Sequence, residues 1–462
     1  MKNVTFTAFI SAMALGASLA VAQTITPTRV GPVSQYGQLM TGKNSSGKGQ
    51  IYGSCEGVKD GAEVQVRGMS LYWSLMPQAL EFWSEEGIAT MVNDMKIQIV
   101  RAAMATGDED WKGEWNGIQL KGYAVDPKNQ KQFMKTVVEA AIKNDIYVII
   151  DWHSHKANQQ TDAAKNFFKE MAQTYGQYDN VIFEVFNEPE KISWSDVKNY
   201  ANQVIEVIRQ YSDNLILVGN PEWDQNPSAA IGNEVNDSKN NTAYTLHYYA
   251  NSHNWEGTYN WGGESEGLKG EKAMNAGLSV FVSEWGTANS NGGGDPNQGR
   301  NQSWQEYLNK HKLSWANWSA SYISEGTAAF QGGSNKTSLQ YTTSGNLVKG
   351  YLSTNPESYT KCPTGEQGQG QQGEGQQGEG QHGTAAFFSA PEFGLNISLT
   401  GKTLHVSAPQ AATVEIFNTL GNKLFAIDHV RGELSLATLP VGRYMVRVRS
   451  GSATTMRAIA IK

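Results

Sequence analysis

Metal-type cysteine spacing is missing from these 462 residues, which hold only Cys55 and Cys362, so no third or fourth ligand completes a zinc site. Basic runs are missing as well. With 37 Lys and Arg against 44 Asp and Glu the formal net charge is −7, a balance that argues against phosphate-driven nucleic-acid binding and suits a neutral ligand. After residue 22 no apolar stretch is long enough to span a bilayer. No Gly-rich phosphate fingerprint follows the first strand-like run, which counts against an open dinucleotide-binding sheet.

The pattern that is present divides the chain into segments. Lys2 leads into F-I-S-A-M-A-L-G-A-S-L-A, and Ala20-Val21-Ala22 precedes Gln23, which reads as a signal peptide over 1–22 and hence as export. Residues 23–60 are rich in Gly, Ser and Thr and are expected to form a short hairpin extension at a barrel floor. From 61 to 362 apolar runs alternate with amphipathic stretches, the signature of strand–helix units on a parallel sheet. Strands are expected at 64–69, 97–103, 147–151, 181–186, 215–219, 242–246, 278–283 and 313–317, with helical periodicity at 130–143, 163–175, 196–211 and 304–310. Such a series fits an α/β fold of the (β/α)8 TIM-barrel type, with a doubly wound sheet as the alternative. Residues 363–384 repeat Gly, Gln and Glu with nothing to bury, so they read as a flexible linker reaching about 25 Å. Short alternating runs in 385–462 predict a small β-sandwich, whose lack of Trp argues against a row of aromatics for crystalline polysaccharide. Cys55 and Cys362 bracket the large domain, and a closed barrel brings its ends together. A disulfide between them is therefore feasible and favoured by export, with two free thiols as the alternative.

Two carboxylates stand just beyond strand-like runs: Glu188 after V-I-F-E-V-F, and Glu284 after L-S-V-F-V-S. If both strands belong to one parallel barrel, their C-terminal ends share the face where barrel enzymes place their chemistry. One Glu would then protonate a leaving oxygen while the other attacks or activates water, as sugar-polymer cleavage requires. Arg101, His153, Asn187, His247 and Tyr249 also fall at strand ends, so five of the eight strands offer polar groups to one mouth. With 13 Trp, 19 Tyr and 15 Phe the chain is rich in flat faces on which sugar rings stack, Trp73 and Trp223 among the candidates, although packing explains most such residues. His153-Ser154-His155 does not read as a metal pair, because no third ligand is evident.

Phe186-Asn187-Glu188-Pro189, Ser283-Glu284-Trp285-Gly286, Asp151-Trp152-His153 and His247-Tyr248-Tyr249 resemble the motifs of glycoside hydrolase family 5 bacterial endoglucanases. The resemblance covers about 61–325, including Val66-Arg67-Gly68-Met69-Ser70 and Asn317-Trp318-Ser319. It implies a retaining mechanism, with Glu284 as nucleophile and Glu188 as acid/base, without a cofactor. Glu188 would need a raised pKa, whereas Glu284 would be kept ionised by Arg101. It further implies that His247 and Tyr249 contact the nucleophile region, that Asn187 bonds the sugar 2-hydroxyl, that His153 bonds a substrate hydroxyl, and that Trp318 floors the subsite before the cleavage point. Trp285 has the plainer reading of fixing backbone beside Glu284.

The terminal segment resembles the sorting domain of type IX secretion cargo through Val414-Glu415-Ile416-Phe417, Leu420-Gly421-Asn422-Lys423 and Leu439-Pro440-Val441-Gly442-Arg443-Tyr444. This implies secretion machinery as a partner and an extracellular or outer-surface location. The expected protein is a monomeric, secreted endo-β-1,4-glucanase acting on cellulose-like or mixed β-glucan. A mannanase or xylanase on the same scaffold is the nearest rival. A non-catalytic carbohydrate-binding surface protein is the rival from another class, and two intact glutamates weigh against it.

Overall fold

The computed structural model describes residues 24–107, 113–362, 386–388, 396–400, 402–407, 411–418, 423–430, 432–440, 442–450 and 453–461. The expected signal segment 1–22 and linker 363–384 lie outside the described residues. Two compact units emerge, one within Thr24–Glu366 and the other within Gln367–Lys462.

In the larger unit the apolar runs become β1 (Arg67–Leu71), β2 (Ile99–Ala105), β3 (Tyr147–His153), β4 (Val181–Glu184), β5 (Ile216–Val218), β6 (Thr242–Thr245), β7 (Val280–Gly286) and β8 (Trp315–Ala320). All pair in parallel in the order β6-β5-β4-β3-β2-β1-β8-β7, and Tyr244 opposite Val280 joins β6 to β7. The ring is closed, as a (β/α)8 barrel requires. Side chains alternate between the helix-facing side and the interior, so residues two apart share a face. On β2, β3, β4 and β7 this alternation places Ile99 below Arg101, Ile149 below Asp151, Ile182 below Glu184, and Phe281 below Ser283. An apolar layer built with Tyr147 and Leu217 therefore fills the lower interior, and the next inward layer is polar.

Helices α1 (Glu85–Met95), α2 (Pro127–Lys143), α3 (Thr161–Tyr175), α4 (Trp194–Ile208), α5 (Glu266–Asn275), α6 (Gln298–Lys310) and α7 (Thr343–Leu352) cover the outside. Their apolar stripes pack on the strands through Met91, Val137, Phe167, Val204 and Trp304. Ser84, Asp126, Ser193, Ser265, Asn297 and Thr342 cap their first turns by accepting backbone N–H bonds, each worth about 1 kcal/mol. The segment after β5 departs from this pattern. Pro221 and Pro227 supply no N–H, and Glu222, Trp223 and Asp224 all have positive φ, so only short turns form there.

A hairpin of strands Leu39–Lys43 and Gly49–Gly53 lies across the N-terminal ends of the barrel strands. Gly31 N donates to Asp145 Oδ2 at 2.5 Å, Thr41 N to Asn241 Oδ1 at 2.9 Å, and Ser279 Oγ to Gln50 O at 2.7 Å. Asp145, Asn241 and Ser279 each stand just before a strand, so this end of the barrel is covered and the C-terminal end is the mouth. Cys55 and Cys362 are bonded, with Cα atoms 5.7 Å apart across a sequence separation of 307.

Among its described residues the smaller unit holds two four-stranded antiparallel sheets. Leu404 and Val406, Val414 and Ile416, and Val446 and Val448 are pairs two residues apart that face one shared apolar core, which makes this unit a β-sandwich.

Loop-closure entropy for so long a cross-link is on the order of 5 kcal/mol. Replacing both cysteines by Ser, or reducing the wild type, should lower the barrel's Tm by roughly 10 °C, read by calorimetry with and without reductant.

Candidate active site

Arg101 projects into the polar layer from β2 and is wholly buried. Its Nε donates to Glu184 Oε2 at 2.7 Å, Nη1 to Glu284 Oε2 at 2.7 Å, and Nη2 to Asn187 Oδ1 at 2.6 Å. Asp151 Oδ2 lies 2.9 Å from Nη2 and 2.7 Å from His153 Nδ1. A planar fork of donors is the one side chain that holds this many oxygens in fixed directions. The other oxygen of Glu284 accepts from the Tyr249 hydroxyl at 2.7 Å. Gly286 makes room for that tyrosine, since a Cβ there would sit 2.2 Å from Tyr249 Cδ1.

Glu188 follows β4 in a left-handed conformation with φ of 50°. Its amide donates to Asp224 Oδ2 at 2.9 Å, and Asp224 Oδ1 accepts from Asn220 N at 2.6 Å. The consecutive left-handed residues Glu222 to Asp224 carry Asp224 to that position. Glu188 Oε1 lies 3.1 Å from His247 Nδ1, and Oε2 lies 3.8 Å from His155 Nε2. Oxygens of Glu188 and Glu284 and a nitrogen of His247 all lie within 4.8 Å of one another.

The proton inventory follows from bond directions. Ser283 commits its hydroxyl hydrogen to Glu184 Oε1 at 2.7 Å, so it accepts from His247 Nε2 at 2.9 Å. His247 therefore carries a proton on Nε2, and the 3.1 Å contact at Nδ1 contains one more proton shared with Glu188. Burial opposes charge on His247, but Asp224, Glu184 and Glu188 outweigh it and move its pKa well up. With the proton on His247, burial raises Glu188 but the imidazolium lowers it further, for a net downward shift. Burial and the Glu188 charge in turn raise Glu284. These directions are the reverse of those expected from sequence, which left His247 out of the accounting. Moving the shared proton to Glu188 inverts both: Glu188 becomes a neutral acid, and Glu284 keeps Arg101 and Tyr249 without a like charge opposite.

Among the described residues two groups have the geometry to surround a cation, Glu184 with Asp224 and His247, and Glu188 with His247 and Glu284. Arg101 already bonds Glu184 and Glu284 and supplies positive charge at that place.

The sequence and fold comparisons agree with this arrangement. Residues 58–324 match the model described as Cellulase (glycosyl hydrolase family 5), and 395–462 match the Secretion system C-terminal sorting domain. The chain belongs to glycosyl hydrolase family 5. Endoglucanase Z of Dickeya dadantii is 40% identical over 293 residues, which are 63% of this chain and 62% of that protein, so the chain spans under two thirds of its relative. A solved structure from Cytophaga hutchinsonii superposes with a TM-score of 0.61 at 34% identity, over 70% of this chain and 96% of that one. The catalytic domain of Thermobifida fusca endoglucanase Cel5A, solved with cellotetraose, gives 0.58 at 28% identity over 70% and 100% of the two chains. The sorting-domain match makes this family 5 protein a secreted or cell-surface one. Among the described residues no helix is long and apolar enough to cross a membrane.

Every site residue singled out in the sequence reaches the barrel's mouth. Trp318 stacks on His153 with centroids 5.5 Å apart and an interplanar angle of 6°, and Trp73 lies 5.8 Å from the same imidazole. Trp223 lines the cavity beside Glu188. Trp285 is fully buried between Tyr248 and Trp315, which fits the plainer reading. Sequence reasoning gave no role to Asp151 and Glu184, which lie within strand-like runs, or to Ser283 beyond its place in a motif, and it missed Asp224 and the approach of His155 to Glu188. A charged residue inside a strand two positions above an inward-facing Ile was the available signal for the first two.

Arg101 and His247 hold Glu184 down to about 2, against burial. The sign is that of a depressed acid: its stabilisation is complete above the ordinary value of 4.5 and is lost as pH falls toward 2. That loss is on the order of 3 kcal/mol. Acid unfolding of Glu184→Gln should show a correspondingly flatter stability curve between about pH 5 and 2, measured by denaturant titration at each pH.

Proposed function

We propose that this family 5 hydrolase is a retaining endo-β-1,4-glucanase that cuts internal bonds of cellulose-like or mixed β-glucan chains. The observation that carries the mechanism is the spacing of the two glutamates. An oxygen-to-oxygen approach within 4.8 Å suits the roughly 5 Å separation of covalent double displacement and falls short of the about 6.5–9.5 Å that admits a water between them. The glucan substrate is supported by the endoglucanase name of the relative at 40% identity and by the cellotetraose bound to the Thermobifida domain.

In the first step a Glu284 oxygen attacks the anomeric carbon as the glycosidic C–O bond breaks. Glu188 gives its proton to the departing oxygen. In the second, Glu188 takes a proton from water, whose oxygen displaces Glu284 from the glycosyl-enzyme, and the starting configuration returns. The His247–Glu188 pair stores the proton used in the first step. Asn187 has committed Oδ1 to Arg101, and its Nδ2 is buried without a partner. That free donor beside both glutamates suits a sugar hydroxyl in the subsite before the cleavage point. Trp318 and Trp73 offer ring faces to the same sugars.

Glu284→Gly should lose activity by at least about a thousandfold and recover part of it in azide, releasing a glycosyl azide of inverted configuration. Glu188→Ala should stay active on aryl glycosides with good leaving groups and give the retained azide. The anomer, read by NMR, assigns each role, and wild-type activity in Glu284→Gly would refute the mechanism. Reducing-sugar release from β-glucan but not from mannan or xylan tests the substrate.

A further inference from the structure

Beside the cavity at Glu188, which encloses about 460 Å³, the same side of the mouth carries a second groove of about 680 Å³. Lys191 after β4, Glu222 and Asn226 after β5, and Trp261 and Lys269 after β6 line it. Adjacent residues line the two spaces. Glu222 faces the outer groove while its neighbour Trp223 faces the inner cavity, and Lys191 Nζ lies 5.7 Å from the Trp223 ring centroid.

Trp261 is 76% exposed. A single exposed apolar residue asks for no explanation, but this one is mounted. Its ring lies parallel to Tyr259, with centroids 5.1 Å apart and 7° between planes. A Cβ on Gly263 would come within 1.8 Å of Trp261 Cζ3, so glycine is what admits the ring there. Tyr259 N donates to Gly263 O at 2.6 Å, Gly262 turns the chain at φ of 92°, and the Tyr259 hydroxyl donates to Glu266 Oε2 at 2.5 Å at the start of α5. Lys269 Nζ donates to Glu222 Oε2 at 2.7 Å, which ties α5, the helix that follows this loop, to the segment carrying Trp223.

Chemistry sets the direction of the substrate. A proton donor must reach the departing oxygen, so the leaving half of a glucan extends outward from Glu188 over the loops after β4, β5 and β6. We propose that Trp261 and the outer groove form a distal binding site for leaving-group sugars of the same β-glucan chain, beyond Trp223. This rests on the glucanase reading. A pyranose ring presents C–H bonds to an aromatic face, and Lys191, Glu222 and Asn226 supply polar groups for the sugar hydroxyls.

The test compares cellohexaose, long enough to cross the cleavage point and run into the groove, with 4-nitrophenyl cellobioside, whose leaving group ends beside Glu188. Trp261→Ala should raise KM for cellohexaose roughly three- to tenfold while changing the aryl substrate less than about twofold, and Trp261→Phe should keep most of the wild-type value. An unchanged ratio of the two KM values in both Trp261→Ala and a second variant, Trp261→Gln, would overturn the site. A wild type inert on both substrates would overturn the glucanase reading instead.

Discussion

One buried guanidinium organises the mouth of this barrel. Moving a charge into a protein interior costs on the order of several kcal/mol even after relaxation, and Arg101 is buried completely. It persists because Glu184, Glu284, Asp151 and Asn187 fill its donor directions at 2.6–2.9 Å. The dependence runs both ways: without Arg101 three carboxyls would face one another in a dry interior. The cluster is thus weak as a source of net stability and strong as a device for fixing geometry. The Glu284 carboxylate, held by Arg101 on one side and Tyr249 on the other, has little freedom to wander.

Charge accounting in this layer explains why a mobile proton exists at all. Asp151, Glu184, Glu188, Asp224 and Glu284 share the space with Arg101 and a charged His247. Five anions against two cations is untenable under burial, so protons are retained. Burial with the charges of Glu184 and Glu284 moves Asp151 well up, and burial lifts Asp224 to about 7. The proton between His247 and Glu188 belongs to the same excess, and under the proposed mechanism it is the one given to the departing oxygen. A strained backbone presents that contact. Left-handed residues cost about 1–3 kcal/mol each, and Glu188, Glu222, Trp223 and Asp224 all adopt that conformation. The hydrogen bonds from Glu188 N and Asn220 N to Asp224 offset part of that cost.

Much of this architecture was legible in the residues, for an identifiable reason. Strands buried on both faces leave near-continuous β-branched runs, so all eight were found from sequence. On β1, β2, β7 and β8 the ladder sits two or three residues further toward the C-terminus than the apolar run suggested. Hydrophobicity marks the lower interior, whereas parallel pairing continues into the polar layer above it. Glu188 and Glu284 were legible because a carboxylate directly after an apolar strand points to a mouth. Asp224 was not, because a left-handed turn places it. The proton's resting place was not either, because it depends on the direction of one serine hydroxyl.

Closing the ring also gives the mouth two unlike sides. Trp318, Tyr72, Trp73 and His153 cluster on the side of β8, β1 and β3, with Tyr72 and Trp318 centroids 4.7 Å apart. The loops after β4, β5 and β6 instead carry Glu188, Lys191, Glu222 and the histidines His247 and His253 around their cavities. Under a retaining mechanism the sugar that becomes covalently bound must stay through two steps, while the other half must depart after one. A tight aromatic cluster on the first side and cavities lined by charged and histidine side chains as well as Trp223 on the second suit those unequal residence demands. The asymmetry follows from strand order: Glu188 after the fourth strand and Glu284 after the seventh stand on different arcs of one ring, and under the proposed mechanism a linear polymer lying across it meets them in only one productive sense.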